Sequence, residues 1–244
     1  MGSFFTLVSF RLPLGNSIIH PPSHCDFCER RLTVSELIPI LSFLLLKGKC
    51  QTCSQRIPIT YPLIECFTGL LYIFILYYCL HHHQPLLLPI SLSFSAMLII
   101  LTLSDLTYFL VPNKLLLFFI LLFGLLHLLF TWNSWAEALL GACISLILLF
   151  LASLVIKNGM GYGDIKLFGV LGFVLGWKDS LLALFIACFV GMGITFLAQL
   201  LRKRKRKGPI PFVPFLAIGA FTAFFYGDSL LQAYVSFVKD LLLF

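Results

Sequence analysis

Two aspartates lie at the ends of apolar runs: Asp105 in Leu103-Ser104-Asp105-Leu106-Thr107, and Asp164 in Gly159-Met160-Gly161-Tyr162-Gly163-Asp164-Ile165-Lys166. A carboxylate beside hydrocarbon is costly unless it is paired, hydrated or working, so an acid at membrane depth reads first as a functional group. Two carboxylates close enough to share one proton cannot both be ionised. The ionised one can take a proton from water while its protonated partner polarises a scissile carbonyl; the roles then reverse as the leaving amine is protonated. Such chemistry needs no metal and no covalent intermediate. Around Asp164, Gly159, Gly161 and Gly163 alternate and let a substrate backbone approach without meeting a Cβ. After Asp105, Val111-Pro112-Asn113 breaks the helix and leaves the acid between a membrane helix and a turn. Two other readings compete with catalysis. Asp164 suits an N-cap, whereas Asp105 would face the negative end of a helix dipole and suits a cap poorly; a proton site in a transporter would use the same two acids.

A second constellation is made of cysteines. Cys25-Asp26-Phe27-Cys28 and Cys50-Gln51-Thr52-Cys53 are two Cys-x-x-Cys pairs with 21 residues (29–49) between them, close to the spacing of a tetrahedral thiolate zinc site. Each pair makes a knuckle in which the chain reverses and both sulfurs reach one ion. Four protein ligands close the shell, so zinc here is expected to be structural. Cys66, Cys79, Cys143 and Cys188 fall in apolar runs and read as small packing or lipid-facing residues.

The elements that position these groups follow from composition. Of 244 residues, 60% are hydrophobic and 11% charged, with a mean hydropathy of +1.02; this is a polytopic membrane protein. The net charge of +7 does not point to nucleic acid, because the bases sit between apolar runs rather than along one face. Residues 1–14 are read as the tail of a first transmembrane helix whose beginning lies upstream, with an interfacial anchor as the competing reading. Residues 15–62 form a polar unit with Arg30, Arg31, Lys47, Lys49, Arg56 and both cysteine pairs. Apolar stretches follow at about 63–80, 86–103, 115–131, 135–156, 167–177, 180–201 and 209–226, and the tail 228–244 is read as interfacial or packed on the bundle.

If residues 15–62 are cytoplasmic, alternation puts Lys114, the 157–166 turn and the 202–207 basic run on the same side. Only Lys178 and Lys239 of the 17 Lys and Arg then fall outside, as the positive-inside rule asks. Asp105 ends a run travelling inward and Asp164 starts one travelling outward, so both are expected at the cytoplasmic edge. Glu137 falls on the outer side. Glu65 lies on the inner side, where it could orient a base or contact a substrate amine, or simply favour the start of its helix. His81-His82-His83 reads as a solvated turn, and Arg202-Lys203-Arg204-Lys205-Arg206-Lys207 as a topology signal that contacts anionic lipid.

Several motifs together carry a resemblance. Gly2-Ser3-Phe4 with Arg11-Leu12-Pro13, Ser23-His24-Cys25-x-x-Cys28, Leu37-Ile38-Pro39-Ile40-Leu41-Ser42, Gly48-Lys49-Cys50-x-x-Cys53, Tyr61-Pro62-x-x-Glu65, Asp105 with Val111-Pro112-Asn113, Gly159-x-Gly161-x-Gly163-Asp164-x-Lys166-Leu167, and Pro211-Phe212-x-Pro214-Phe215-Leu216-Ala217-x-Gly219 run in order along the chain. The set resembles the prepilin peptidases, or type IV leader peptidases; Gly-x-Gly-Asp alone would also suit preflagellin peptidases and presenilin-like proteases.

The resemblance implies an inner-membrane aspartic endopeptidase that removes the basic leader of type IV prepilins or pseudopilins, including those of competence and type II secretion, at the cytoplasmic face. It places Asp105 and Asp164 as the catalytic pair, with Gly161, Gly163, Lys166 and Glu65 as supporting or substrate-binding positions. It also implies a zinc loop carried by Cys25, Cys28, Cys50 and Cys53, and in many members N-methylation of the new terminus with S-adenosylmethionine. The chain has no glycine-rich strand-to-helix fingerprint of the nucleotide-binding kind. The expected fold is an all-α bundle of about seven to eight transmembrane helices with a small zinc-binding cytoplasmic loop. Its divisions are a partial first helix (1–14), the cysteine loop (15–62), the membrane peptidase domain (63–227) and the tail (228–244). The competing function, a proton-coupled transporter, would use the same acids.

Overall fold

The apolar runs fold as helices, as a chain in hydrocarbon must when no water is at hand for its backbone N–H and C=O groups. The computed structural model describes residues 2–25, 27–155, 161–201 and 210–242; Asp26, Gly159, Met160 and the 202–207 basic run lie outside the described residues. The helices are α1 (Gly2–Arg11), α2 (Leu41–Leu45), α3 (Thr60–His81), α4 (Leu88–Tyr108), α5 (Asn113–Phe130), α6 (Trp135–Val155), α7 (Tyr162–Leu201) and α8 (Val213–Leu242), with short 3-10 turns at Val34–Leu37 and Pro85–Leu87. Among the described residues, six helices are long and apolar enough to cross a membrane: all except α1 and α2. The chain forms two compact units, Met1–Tyr108 and Phe109–Phe244.

In the first unit α1 packs on α3 and α4. It buries Phe5 and Val8 together with Thr6 and Ser9. Those two hydroxyls donate to the Gly2 and Thr6 carbonyls of their own helix, which satisfies them without outside partners. Phe5 meets Tyr72 edge-on, and Phe10 meets Tyr61 and Tyr108 edge-on. Beneath lie the fully buried Ile75, Ile90, Phe94, Met97 and Leu101. The other side of α3 exposes Leu63, Phe67, Leu70 and Tyr77, at helical spacing. A stripe of that kind fits lipid rather than water.

The second unit is built on close helix approach at small residues. Gly141 of α6 lies against the backbone of Gly172 and Gly176 in α7, and Gly169 lies under Leu146. Gly219 of α8 lies against the Ala183 carbonyl, and Gly227 against the Asp179 carboxylate. The indole N–H of Trp132, in the α5–α6 turn, donates to the Val174 carbonyl at 2.9 Å.

Two stretches were expected in place of α7, at 167–177 and 180–201 with Lys178-Asp179 as the turn between them. Instead the helical path is interrupted at Gly176 alone, which has φ +78°, a backbone conformation open to glycine at little cost. Lys178 and Asp179 lie within the helix that continues beyond it. Counted on either side of Gly176, α7 supplies two helices, and the described residues then hold seven long apolar helices, within the expected range. The first of these, about 14 residues, is only about 21 Å long.

The glycine contacts can be tested by comparing two substitutions. A side chain at Gly141 would run into the Gly172 carbonyl, whereas nothing lies within 4 Å of a Cβ at Gly193. Thermal unfolding of the purified protein in detergent should show Gly141→Val losing at least about 1–3 kcal/mol, as overpacking does. Gly193→Ala should be neutral or gain up to about 1 kcal/mol from its better helix propensity. Equal behaviour of the two variants would contradict the α6–α7 packing described.

Candidate active site and metal centre

Asp164 occupies the first turn of α7, two residues after its start at Tyr162. Its N–H donates to the Gly161 carbonyl at 3.1 Å. A carboxylate in a first helical turn is favoured by the dipole and by the unsatisfied N–H groups there. The Oδ2 atom lies 3.6 Å from the place a Gly161 Cβ would take, so a side chain at 161 would stand in contact with the carboxylate.

The same helix start is held from the α5 side. A Cβ on Gly163 would stand 2.8 Å from the Val111 Cβ, closer than side-chain carbons approach. One turn on, the Lys166 ammonium donates to the Asn113 side-chain carbonyl at 3.0 Å. Pro112 is the N-cap of α5, and its fixed φ sets the turn that Gly163 touches. Gly163 and Lys166, read from the sequence as supporting positions, thus act together as a clasp on the Val111–Pro112–Asn113 turn. No local spacing announces a partner for Lys166; Asn113, whose place in the sequence reads only as part of a helix break, is that partner.

Asp105 belongs to the first unit. It sits inside α4 rather than at its end, because the helix continues one turn further to Tyr108. The residue is only 5% exposed. Phe109, next after α4, takes a positive φ of 55°, so the chain turns sharply before Val111. Glu65, five residues into α3, accepts a hydrogen bond at 2.9 Å from the Ile40 N–H, and Gly2 of α1 packs against its backbone. Its carboxylate ties the polar loop to α3.

The four cysteines are brought together. The sulfurs of Cys25 and Cys53 are 3.7 Å apart, those of Cys28 and Cys50 4.0 Å, and all four lie within 4.8 Å of one another. Thiolates at about 2.3 Å from one tetrahedral ion stand about 3.8 Å apart, so the site fits a metal ion and is too open for disulfides. Among the described residues this is the one group of three or more potential ligands placed for a metal; the His81-His82-His83 tract is not part of it.

The two knuckles repeat each other at an offset of 25 residues. Cys25 N donates to Arg30 O as Cys50 N does to Gln55 O; Leu32 N donates to Ser23 O as Ile57 N does to Gly48 O. Glu29 and Ser54 take the same positive φ, 54° and 56°. Backbone N–H groups point at the sulfurs. Those of Cys53 and Thr52 pull the Cys50 thiol down to about 6, and those of Cys28 and Phe27 hold Cys25 below its ordinary value. The Gln55 N–H favours the Cys53 thiolate as well, but burial and the sulfurs of Cys50, Cys25 and Cys28 push it up to about 11. Without a cation the site therefore resists a full set of thiolates, and a divalent ion would supply the missing charge.

Outside the sulfurs, the Arg30 guanidinium pairs with Glu36 at 2.5 Å; Glu36 first, and the Cys50 thiolate after it, favour its charge. Glu36 also accepts from the Thr33 N–H and hydroxyl, each at 2.8 Å. The Thr33 N–H and the Arg30 charge hold its carboxyl below the usual range. Arg30 and Glu36 were not singled out in the sequence, although Thr33-x-x-Glu36 is a capping-box spacing.

Comparison with known proteins gives two profile matches. Residues 1–79 match the bacterial peptidase A24 N-terminal domain, and residues 92–196 match the type IV leader peptidase family. Among curated relatives, the chain is 39% identical over 241 residues to a prepilin leader peptidase/N-methyltransferase of Bacillus subtilis (strain 168), covering 96% of this chain and 94% of the relative. A protein of the same name from Aeromonas hydrophila is 36% identical over 229 residues, covering 90% and 77%. One from Pectobacterium carotovorum subsp. carotovorum is 31% identical over 245 residues, covering 90% and 87%. No solved structure matches significantly.

Groups beyond the direct ligands commonly change metal affinity about ten- to a hundredfold. Purified protein should carry one metal ion per chain. Release to a chromogenic chelator should be about ten- to a hundredfold faster in Arg30→Ala, with Arg30→Lys between. Release at the parental rate in Arg30→Ala would mean that the guanidinium does not support the centre.

Proposed function

The chain belongs to the type IV leader peptidase family, and from that premise we propose that it is a multi-pass membrane aspartic endopeptidase that cleaves the basic leader from type IV prepilins or pseudopilins. The observation that carries this reading is identity of 39% across 96% of the chain to a protein named for that activity. The proposed catalytic pair is Asp105 and Asp164. Support comes from their surroundings: a buried carboxyl in one membrane helix, and a carboxylate at a helix N-terminus flanked by glycine. The Val111 turn, which abuts Gly163, follows Asp105 by six residues in the chain.

In the proposed reaction the ionised aspartate accepts a proton from water, whose oxygen attacks the scissile carbonyl carbon. The protonated aspartate donates its proton to the carbonyl oxygen. Collapse of the tetrahedral species breaks the C–N bond as the first carboxyl returns a proton to the leaving amine, and a hydroxyl of the tetrahedral carbon returns one to the second carboxylate as the product carboxyl forms. The Gly161 and Gly163 backbone leaves room for the substrate strand, and Lys166, bound to Asn113, keeps the helix start in register.

The distribution of bases supports an inner-membrane location with the site on the cytoplasmic face, where the basic leader of a membrane-anchored substrate arrives. The ion held by Cys25, Cys28, Cys50 and Cys53 is proposed to be zinc in a structural role, since four thiolates close its shell. N-methylation of the new terminus with S-adenosylmethionine is proposed as the second activity, on the relatives' printed name. Among the described residues there is no strand-to-helix glycine turn to receive such a cofactor, and no residue is assigned to it.

Leader cleavage by protein reconstituted into vesicles, followed by mass spectrometry of the products, tests the pair. Asp105→Asn and Asp164→Asn should each lower the rate by about 10²–10⁴, the range of general acid–base groups, while metal content and melting stay at parental values. Parental cleavage by either variant would rule out the pair.

A further inference from the structure

The cysteine-bearing loop carries a surface that neither the metal centre nor the proposed cleavage uses. Between Val34 and Leu45 six aliphatic side chains, Val34, Leu37, Ile38, Leu41, Leu44 and Leu45, stand exposed, by 40% at Leu37 and up to 84% at Val34. The one charged residue in this stretch, Glu36, is engaged by Arg30 and Thr33, so the surface presents no charge of its own. α2 is too short to bury an apolar stripe against anything, and it ends in the exposed Leu44 and Leu45.

Glu65 sets the height of this segment. Its carboxylate holds the Ile40 N–H, from which α2 departs. Glu65 lies about 7.5 Å along α3 from its start at Thr60, between Leu63 and Phe67, which face outward at 60% and 58% exposure. Ile40 is thereby pinned beside the part of α3 that is already clad for hydrocarbon, and the exposed leucines of α2 continue that cladding sideways. Lys47 and Lys49 follow directly, both exposed, and no acid occurs from Leu37 to Lys49. An apolar face at the hydrocarbon boundary with bases at its rim is the pattern of a segment lying in an anionic membrane interface.

We propose that residues 34–45 lie in the bilayer interface, with their aliphatic side chains among the upper acyl chains and Lys47 and Lys49 at anionic headgroups. The loop is then attached to the membrane at three places, α1, α3 and this segment, and the two knuckles rest against the lipid surface.

The full-length, metal-loaded protein in nanodiscs containing a phospholipid with a diazirine near the glycerol end of its acyl chain tests this by photolabelling and peptide mapping. Residues 34–45 should be labelled at a level like that of the α3 stripe at 63–70, more strongly with anionic than with zwitterionic lipid, and residues 51–55 at the knuckle tip should remain unlabelled. The double variant Leu44→Glu/Leu45→Glu should lose the 34–45 label and keep its metal. Should that variant lose its metal, Leu45→Ser with the parental protein carries the comparison. Label on 63–70 with none on 34–45 would overturn the proposal, as would cross-links from 34–45 to a second copy of the chain in place of lipid. Equal labelling in the two lipids would overturn the anionic partner.

Discussion

The start of α7 depends on one close approach. Gly163 and Val111 come together with no room for a further carbon, and Lys166 reaches across the next turn to Asn113. A larger residue at 163 would move the helix start away from the turn, and with it the backbone that carries Asp164. Further along, the same helix continues the pattern, with Gly169 under Leu146 and Gly172 against Gly141. Backbone approaches backbone there until Gly176 ends the run. The carboxylate is thus presented by a rigid helix end, which holds a reacting group more closely than an open loop can.

The membrane helices and the cysteine loop solve the problem of polar groups by different means. In the membrane helices, serine and threonine hydroxyls turn back on carbonyls of their own helix, as Thr68 does on Ile64, Ser91 on Leu87 and Ser93 on Pro89. Little polarity is left for lipid to meet. The cysteine loop has almost no core, and its order comes from the two knuckles and from side chains that reach between them. Arg30 pairs with Glu36 beside the first knuckle, and Glu65 fastens the loop to α3. A metal ion bound by the four cysteines would give a small unit of this kind folding energy that burial alone does not.

Much of this was legible in the residues because hydrocarbon and metal both impose strict patterns. Long apolar runs have one solution in a bilayer, so most of the helices fall where hydropathy puts them. Four cysteines in paired knuckles have one common use inside a cell. What escaped depended on long-range contact or on backbone conformation. Charge suggests a turn at Lys178-Asp179, but glycine's freedom at positive φ puts the break in α7 at Gly176. α4 runs past Asp105 to Tyr108 and α8 continues through residues first read as a tail, since a helix tolerates polar residues at its ends once its apolar part is anchored. Glu65 seemed a helix-start acid or a substrate contact; its partner, Ile40, is 25 residues away and no local spacing announces it. Arg30 and Glu36 surround the sulfurs without any fixed spacing, although the 25-residue repeat of the knuckles is present in the sequence.

The proposed sharing of one proton between Asp105 and Asp164 is tested most directly by the pH dependence of kcat/KM for leader cleavage by metal-loaded protein in vesicles. A pair that works with one proton between two carboxyls gives a bell: activity falls on the acid side when both are protonated and on the alkaline side when both are ionised. The bell should be unchanged when the ion held by the four cysteines is exchanged for another divalent metal that preserves the fold. A profile that rises with pH to a plateau, or one whose limbs shift with the metal, would contradict catalysis by Asp105 and Asp164.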